Sequence, residues 1–324
     1  MHSGVGILVV LACVFQALPQ ASAQLQSYPS RPLRIIVPST PGGGSDFVGR
    51  VMALRFGESF GAQVVVENRP GASSVIGADY VAKSAPDGYT VLITPAALAV
   101  NPFMFASVPF DARRDLAPVS QLVESGNVLT AHPSVPARNM RDLIALAKSR
   151  RGALTIASPG GGSTPHMAAE LFRMMTGADI VIVPYKGSGP GVIALLSGEV
   201  SLQFSTPAST MQYIRNGKVR ALGVTGLKRI SAMPEVPTIA ESALPGYEAT
   251  QWFGLLAPAG TPRPIIDRLY QEALRAIRMQ DTRERFAVEA LEPVGSAPDE
   301  FAAYIAGEMN KWGKVIKAAG IRPQ

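Results

Sequence analysis

The residues in this chain that are best suited to bind a charged ligand are two copies of the pentapeptide PGGGS. They are Pro41–Ser45 and Pro159–Ser163, and each lies between a short β-branched apolar run and a helical pattern. The first N–H groups of a helix lack intrahelical partners and the helix dipole favours negative charge there, so each loop could hold an anion. A tight turn without a ligand would use the same glycines. Two equivalent copies in two lobes would favour facing loops across a cleft.

Other glycine-loop and nucleophile chemistries do not fit the sequence. Neither loop has the lysine of a phosphate-binding P-loop, and neither has the G-x-G-x-x-G spacing of a dinucleotide site. G-x-S-x-G, the nucleophile motif of α/β-hydrolases, does not occur. The only cysteine is Cys13, and the histidines do not cluster with acidic residues. The sequence therefore predicts no metal site and no cofactor.

The length and charge of the chain limit its partners. It has 324 residues, enough for two domains of ordinary size, and a formal net charge of +6. The positive charge suits an anionic ligand or surface. The Lys and Arg residues are dispersed rather than clustered, so we expect no nucleic-acid binding.

The N-terminus has the pattern of an export signal. The apolar stretch Val5–Leu18 is followed by Ala21-Ser22-Ala23, which predicts cleavage after Ala23. No Lys or Arg precedes the apolar stretch, so a buried N-terminal helix remains the alternative. Cleavage would remove Cys13 and leave an exported chain without thiols. No later stretch is long and apolar enough for a transmembrane helix.

Short apolar runs alternate with helical patterns along the rest of the chain. This alternation is typical of βαβ units and predicts an α/β fold with mostly parallel sheets. The pattern restarts after about Glu124, and a third section with two long helices begins near Gly246. We expect these helices to pack on the first unit. The chain would then cross between two lobes near Glu124–Val128 and near Tyr247–Phe253.

Two ionisable residues lie close to the glycine loops. His166 is in the first helical turn after the second loop, where it could donate to a bound anion or act as a local cap. Asp46 directly follows the first loop. An exported enzyme acting on a small carboxylic acid is the alternative function, and it would have to use one of these two residues as its base. Neither has an evident activating partner in the sequence.

The ordered motifs of the whole chain resemble one known family. They include YPSRPLRIIVPSTPGGGSDFVGR, VVVENRPGASSVIGADYVAKSAPDGYT, SPGGGSTPHMAAELF, VPYKGSGPGVIALLSGEV, VRALGVTGLKRISAMPEVPTIAESALPGYE and WFGLLAPAGTP. In this order they are similar to the Bug family, the periplasmic substrate-binding proteins of tripartite tricarboxylate transporters. The resemblance covers essentially the whole predicted mature chain.

The resemblance implies a periplasmic, non-enzymatic receptor with the two-lobed type II periplasmic-binding-protein fold. It would close on a small carboxylate and deliver it to membrane transporter subunits or to a sensor, and it would be a monomer. The implied organisation is a signal peptide at 1–23, a discontinuous first lobe at 24–124 plus 252–324, and a second lobe at 125–251.

The resemblance also implies which residues bind the carboxylate. In the first lobe they are Ser39, Thr40, Gly42, Gly43, Gly44 and Ser45. In the second lobe they are Ser158, Gly161, Gly162, Ser163, Thr164 and His166. A cleft loop after the third strand adds Pro95, Ala96 and Asn101.

One position departs from the family pattern. Family members commonly carry two aspartates where this chain has Ser201 and Ser205. The second aspartate would lie near the cleft, where it could pair with a ligand ammonium group. We therefore include Ser205 among the expected binding residues and expect a carboxylate without an amino group. A serine that merely caps a strand is the alternative.

Overall fold

The computed structural model describes residues 28–323, which form two β-sheets with helices packed against them. The chain builds part of a six-stranded sheet, then a complete five-stranded sheet, and then returns to the first. We call the six-stranded sheet with its helices the first lobe, and the five-stranded sheet with its helices the second lobe. This is the two-lobed α/β fold that the sequence predicts.

The first lobe contains the chain before and after the second lobe. Its first part comprises β1 (Leu33–Val37), α1 (Gly44–Phe60), β2 (Val64–Asn68), a 3₁₀ turn (Ala72–Ser74), α2 (Val75–Ala82), β3 (Thr90–Pro95), α3 (Ala97–Met104) and β4 (Leu116–Gly126). The second lobe comprises β5 (Val128–Ala131), α4 (Met140–Ser149), β6 (Leu154–Ser158), α5 (Thr164–Thr176), β7 (Ile180–Pro184), α6 (Ser188–Ser197), β8 (Leu202–Ser205), α7 (Pro207–Arg215), β9 (Arg220–Val224) and α8 (Ile239–Ser242). The returning chain comprises β10 (Thr250–Pro258), α9 (Arg263–Arg278), α10 (Gln280–Val288), β11 (Glu292–Pro293) and α11 (Pro298–Ala319).

Both sheets are mixed, which corrects the expectation of mostly parallel sheets. The first has the order β11-β4-β10-β3-β1-β2, and only β1, β2 and β3 pair in parallel. The second has the order β7-β6-β8-β5-β9, and β5 is antiparallel to both neighbours. The physical reason is the path of the chain. A strand that enters a lobe from the other lobe must run opposite to the strands that end at the boundary.

The strand ends bring the loops that follow them to the boundary between the lobes. Val128, at the start of β5, pairs with Ser205 and Val224, at the ends of β8 and β9. In the first lobe, Pro95 at the end of β3 pairs with Phe253 near the start of β10. The loops after the parallel strands therefore lie where ligands bind in open α/β sheets.

The two chain crossings meet at one buried threonine. Thr225 is 0% exposed. Its Oγ1 accepts from the N–H of Asn127 at 2.8 Å and donates to the carbonyl of Ala249 at 2.7 Å. Its own N–H donates to the carbonyl of Asn127, and its carbonyl accepts from the N–H of Ala249. One residue of the second lobe thus ties both crossing segments together.

The C-terminal helix α11 packs on the first lobe, as the sequence predicts, against α3 and β4. It also contacts α5 of the second lobe. Its buried face includes Phe301, whose ring meets Trp252 edge to face at 5.5 Å. The buried carboxylate of Glu308 accepts from the indole N–H groups of Trp312 at 3.0 Å and Trp252 at 3.4 Å and pairs with Lys311. The helix therefore helps to hold β10, the returning strand.

The predicted export signal, its cleavage point after Ala23 and Cys13 lie outside the described residues. Between residues 28 and 323, no helix has the length and apolar character that a membrane crossing requires.

Candidate functional site

The first glycine loop connects β1 to α1 and is shaped by Gly42. Its backbone has φ +84°, a left-handed conformation that glycine adopts without steric cost. Its N–H donates to Oδ2 of Asp46 at 2.9 Å. The N–H of Gly43, the N-cap of α1, donates to the carbonyl of Thr40 at 3.2 Å. The loop is therefore a closed turn that ends on a buried carboxylate.

Asp46 is held as an anion by its neighbours. The residue is 3% exposed, and its Oδ2 also accepts from Nε of Arg50 at 2.9 Å, while Oδ1 accepts from Asn68 at 2.9 Å. Burial alone would raise the pKa of this carboxyl, but the hydrogen bonds from Arg50, Gly42 and Asn68 outweigh burial and lower it. Asp46 thus organises the loop, and all of these contacts would have to be given up before it could act as a base.

The first amides of α1 are free to bind a ligand. The N–H of Phe47 is the first to bond back, to the carbonyl of Gly43 at 2.9 Å. Among the described residues, the N–H groups of Gly44, Ser45 and Asp46 have no acceptor. A Cβ on Gly44 would lie 2.7 Å from Cζ of Phe253, so the ring lies directly against this glycine. Unbonded amides at a helix N-terminus can bind an anion, and the anion site predicted at this loop stays a prediction.

The second glycine loop has the same geometry as the first, but that geometry falls on different positions of the pentapeptide. Gly162, not Gly160, matches Gly42: its φ is +74°, and its N–H donates to a side chain four residues ahead, Nδ1 of His166, at 3.1 Å. Ser163 is the N-cap of α5, and its hydroxyl accepts from the N–H of His166 at 3.3 Å. The helix begins at the third glycine of the first copy but after the serine of the second. The two pentapeptides are therefore not equivalent residue by residue.

His166 serves as a local cap in this structure. Its side chain is 13% exposed, and Nε2 lies 3.8 Å from Oε1 of Glu170. Burial lowers its pKa, and the charge of Arg173 lowers it further. Burial raises the pKa of Glu170, although Arg173 opposes that shift. Because Nδ1 accepts from Gly162, the ring is a neutral imidazole with its proton on Nε2.

A cavity of about 500 Å³ lies between the lobes at the first glycine loop. Gly42, Gly43 and Gly44 form one wall, and Thr206 and Ala208 of the second lobe line the opposite side. Ser125 and Gln251, on the two crossing strands, also line it. The remaining lining residues are Asp46, Phe47, Arg50, Val51, Phe253, Arg285, Glu289 and Leu291.

The structure brings only part of the predicted binding set to this cavity. Ser39, Thr40 and Ser45 belong to the same loop as its three glycines, and Oγ of Ser39 is buried without a partner among the described residues. Ser158, Gly161 and His166 line a separate cavity of about 490 Å³ on the second lobe. The residues of the second loop are thus not in the same cavity as those of the first.

The second loop nevertheless contacts the first lobe. A Cβ on Gly162 would lie 3.5 Å from Met104 of α3, and one on Gly161 would lie 3.7 Å from it. The hydroxyl of Thr164 donates to the side-chain oxygen of Gln251, which lines the interlobe cavity. Thr164 therefore connects the start of α5 to the crossing strand.

The remaining predicted residues are buried or partly buried supports. Pro95 ends β3, and Ala96 is the N-cap of α3. Asn101 is 3% exposed and donates to the carbonyl of Ser73 at 2.8 Å. Ser205 is 0% exposed and pairs with the hydroxyl of Thr210 at 3.1 Å. The expectation that Ser205 faces the ligand does not fit this position, because the next residue, Thr206, lines the cavity instead.

Three cavity residues and one strained segment outside the cavity lining escaped the sequence analysis. Gln251, Arg285 and Thr206 line the cavity. Ala72, Ser73 and Ser74 all have positive φ, an uncommon conformation for residues with a Cβ. The one signal available was Gln251, a polar residue directly before the apolar run WFGLLAP. Backbone strain in Ala72–Ser74 leaves no comparable mark in the sequence.

Comparisons with known proteins show the family to which the chain belongs. A family model described as the tripartite tricarboxylate transporter family receptor matches residues 48–321. Protein BugT of Bordetella pertussis is 38% identical, over 98% of this chain and 97% of its own. The structure of R. palustris Rpa4515 with adipate is 35% identical with a TM-score of 0.77, over 92% of this chain and 100% of that one.

A second structure from Rhodopseudomonas palustris, MatC with bound malate, is 30% identical with a TM-score of 0.70, over 89% of this chain and 100% of that one. The periplasmic binding protein BugD is 30% identical with a TM-score of 0.73, over 92% and 100%. Sequence and fold agree over nearly the full length of these proteins. The chain belongs to the tripartite tricarboxylate transporter receptor family.

Proposed function

We propose that this protein is a periplasmic solute receptor that captures a small carboxylate between its lobes and delivers it to a membrane transporter or a sensor. The observation that carries the proposal is the set of unbonded amides of Gly44, Ser45 and Asp46 beside the interlobe cavity. Such amides bind a carboxylate through charge-assisted hydrogen bonds without having to reorganise.

The charges around these amides fit an anionic ligand. Asp46 would repel a carboxylate, but Arg50 neutralises it at 2.9 Å and its oxygens are occupied by donors. The dipole of α1, a helix of 17 residues, adds positive potential at the same point. The net effect favours one carboxylate group at the start of α1.

The relatives support this ligand class. Rpa4515 is described with adipate and MatC with malate, and both are carboxylic acids. By analogy, the predicted residues of both glycine loops remain our proposed binding set. Residues of the second loop would act through Thr164 and its bond to Gln251. Carboxylate capture without turnover is the function that this family membership favours over an exported enzyme.

We further propose export through the N-terminal signal, with cleavage after Ala23, and a monomeric receptor. The proposed lobe limits are 24–124 plus 252–324 and 125–251. The membership of β4 and β10 in the first sheet and of β5 in the second supports these limits, although β4 runs on to Gly126 and β10 begins at Thr250. The last residues of β4 and the first of β10 would then form the hinge.

Native mass spectrometry of the purified mature protein, followed by a thermal-shift screen of carboxylic acids, tests the proposal. An acid present at about 100 times its Kd should add roughly 2.7 kcal/mol to the free energy of unfolding. Recovery of the acid unchanged after incubation separates a receptor from an enzyme. Turnover of a bound acid, or no stabilisation by any acid, would overturn the proposed function.

A further inference from the structure

The interlobe cavity has three chemically different parts. The free amides of α1 form a polar end at Gly44. The side chains of Phe47, Val51, Phe253 and Leu291 give the cavity an apolar lining. Arg285 and Glu289, on and just after α10, add a charged part outside the glycine loop. A ligand that fills the cavity therefore meets a carboxylate site, an apolar surface and a second charged group.

The two arginines that line the cavity are not equivalent. Arg50 donates to Asp46 at 2.9 Å and reaches Asn68 at 3.5 Å, so its charge is already neutralised. Arg285 forms no ion pair or hydrogen bond with any described residue. Arg285 is thus the one lining cation, within residues 28–323, that is free to pair with a ligand.

We propose that Arg285 binds the second carboxylate of an aliphatic α,ω-dicarboxylate whose first carboxylate lies on the amides of α1. The inference rests on the proposed function and adds the class of ligand. A guanidinium presents a fork of donors that matches a carboxylate, and the methylene chain would lie against the apolar lining. The affinity for the diacid should then exceed that for the monoacid of equal length.

Glu289 is the group that opposes this assignment. It lines the same cavity and could pair with an ammonium group, which would favour an ω-amino acid. Two observations favour the dicarboxylate. The formal net charge of +6 attracts anions, and Arg285 lies in the last turn of α10, where the helix dipole favours a cation. The positive charge of the Arg285 guanidinium is therefore electrostatically favourable at this position.

Three ligands of one chain length separate these cases: adipate, hexanoate and 6-aminohexanoate. Isothermal titration at low ionic strength would measure their affinities for the mature protein and for Arg285→Gln, with Arg283→Gln as the matched control on the same helix. Both arginines are exposed, so both variants should fold, which a thermal melt checks. Succinate with butanoate, and suberate with octanoate, extend the comparison to shorter and longer chains.

We expect the unmodified protein to prefer the diacid by about ten-fold or more, the range for a charge-assisted hydrogen bond. Arg285→Gln should remove that preference and leave hexanoate binding unchanged, Arg285→Lys should restore part of it, and Arg283→Gln should change nothing. An unchanged preference in Arg285→Gln, or tighter binding of 6-aminohexanoate than of adipate, overturns the role of Arg285 while the receptor function stands. Binding of none of the acids overturns both.

Discussion

The backbone N–H of Gly162 donates to Nδ1 of His166 across 3.1 Å, so the second glycine loop depends on an unprotonated histidine. The corresponding N–H of Gly42 donates to Asp46, a carboxylate, across 2.9 Å. The two lobes therefore close similar loops with acceptors that titrate in different pH ranges. The stability of the protein should therefore depend on pH through both His166 and Asp46.

Mild acid should destabilise the protein through His166. Its pKa in the folded state is lowered, by burial first and then by Arg173, so the unfolded chain takes up the proton first. The free energy of unfolding should fall as pH drops below the ordinary histidine value of about 6.5, and the fall should stop below the folded-state pKa. Urea denaturation at several pH values between 7.5 and 4.5 measures this fall in the free energy of unfolding.

The control for this prediction is His132, the other histidine in the described chain, which contacts Ser134. The decline should persist in His132→Gln and flatten in His166→Gln. A decline of equal size in His166→Gln would show that His166 is not its source.

Asp46→Asn should cost roughly 1.5–3 kcal/mol at pH 7, the range for hydrogen bonds to a charged group, because an amide cannot accept on both sides. The folded-state pKa of Asp46 is lowered, so its stabilisation is present above the ordinary value and is lost as pH falls through the folded-state pKa. The gap between the two proteins should therefore narrow in strong acid. Chemical denaturation at pH 7 and at the lowest pH where both fold measures the gap.

Asp267→Asn is the comparison for Asp46, since Asp267 forms an ion pair with Arg263 in which both side chains are more than half exposed. Its loss should cost less than about 1 kcal/mol. Equal costs for the two variants would mean that the buried contacts of Asp46 contribute no more than a surface pair.

Gly44→Ala should weaken carboxylate binding in a protein that still folds, at reduced stability. The new Cβ would lie 2.7 Å from Cζ of Phe253, at the cavity wall, and displacing that ring should cost about 1–3 kcal/mol. Affinity for the best acid of the screen should fall at least ten-fold. Gly57→Ala, on the same helix, meets nothing closer than 3.5 Å and should raise stability slightly without changing affinity. Equal affinities in the two variants would remove Gly44 from the site.

Ser73→Gly should stabilise the fold. Ser73 has φ +49° and ψ +46°, which costs a residue with a Cβ about 1–2 kcal/mol, more than the 0.5–1 kcal/mol of extra backbone entropy that glycine loses. We expect a gain of roughly 0.5 kcal/mol or more in thermal or chemical unfolding. Ser231→Gly, in a loop without positive φ at that residue, should lose stability. A loss in both variants would contradict strain at Ser73.

The sequence predicted those features of the structure that depend on local sequence pattern. The alternation of strands and helices predicted the fold class correctly, and the glycine loops led to the prediction of an anion site at α1, where the structure shows three unbonded amides. It could not predict that the helix starts at a different position in each copy of the pentapeptide. The N-cap is the second glycine, Gly43, in the first copy and the serine, Ser163, in the second. It also could not show that Ser205 points inward at Thr210, or that Arg285, far along the chain, lines the cavity. The Ser205–Thr210 contact depends on how the helix after β8 folds back, and Arg285 reaches the cavity only after the chain returns through β10.

Thr225 has a mechanical consequence for the two lobes. A receptor with two separate tethers could twist its halves as well as open them. Here β4 and β10 pair side by side, and the segments of Asn127 and Ala249 are bonded to a single residue. The two crossing segments therefore act as a single hinge. Pairing of β4 with β10 joins the two crossing segments on the first-lobe side, and Thr225 joins them on the second-lobe side, so the two segments must move together when the cavity opens or closes.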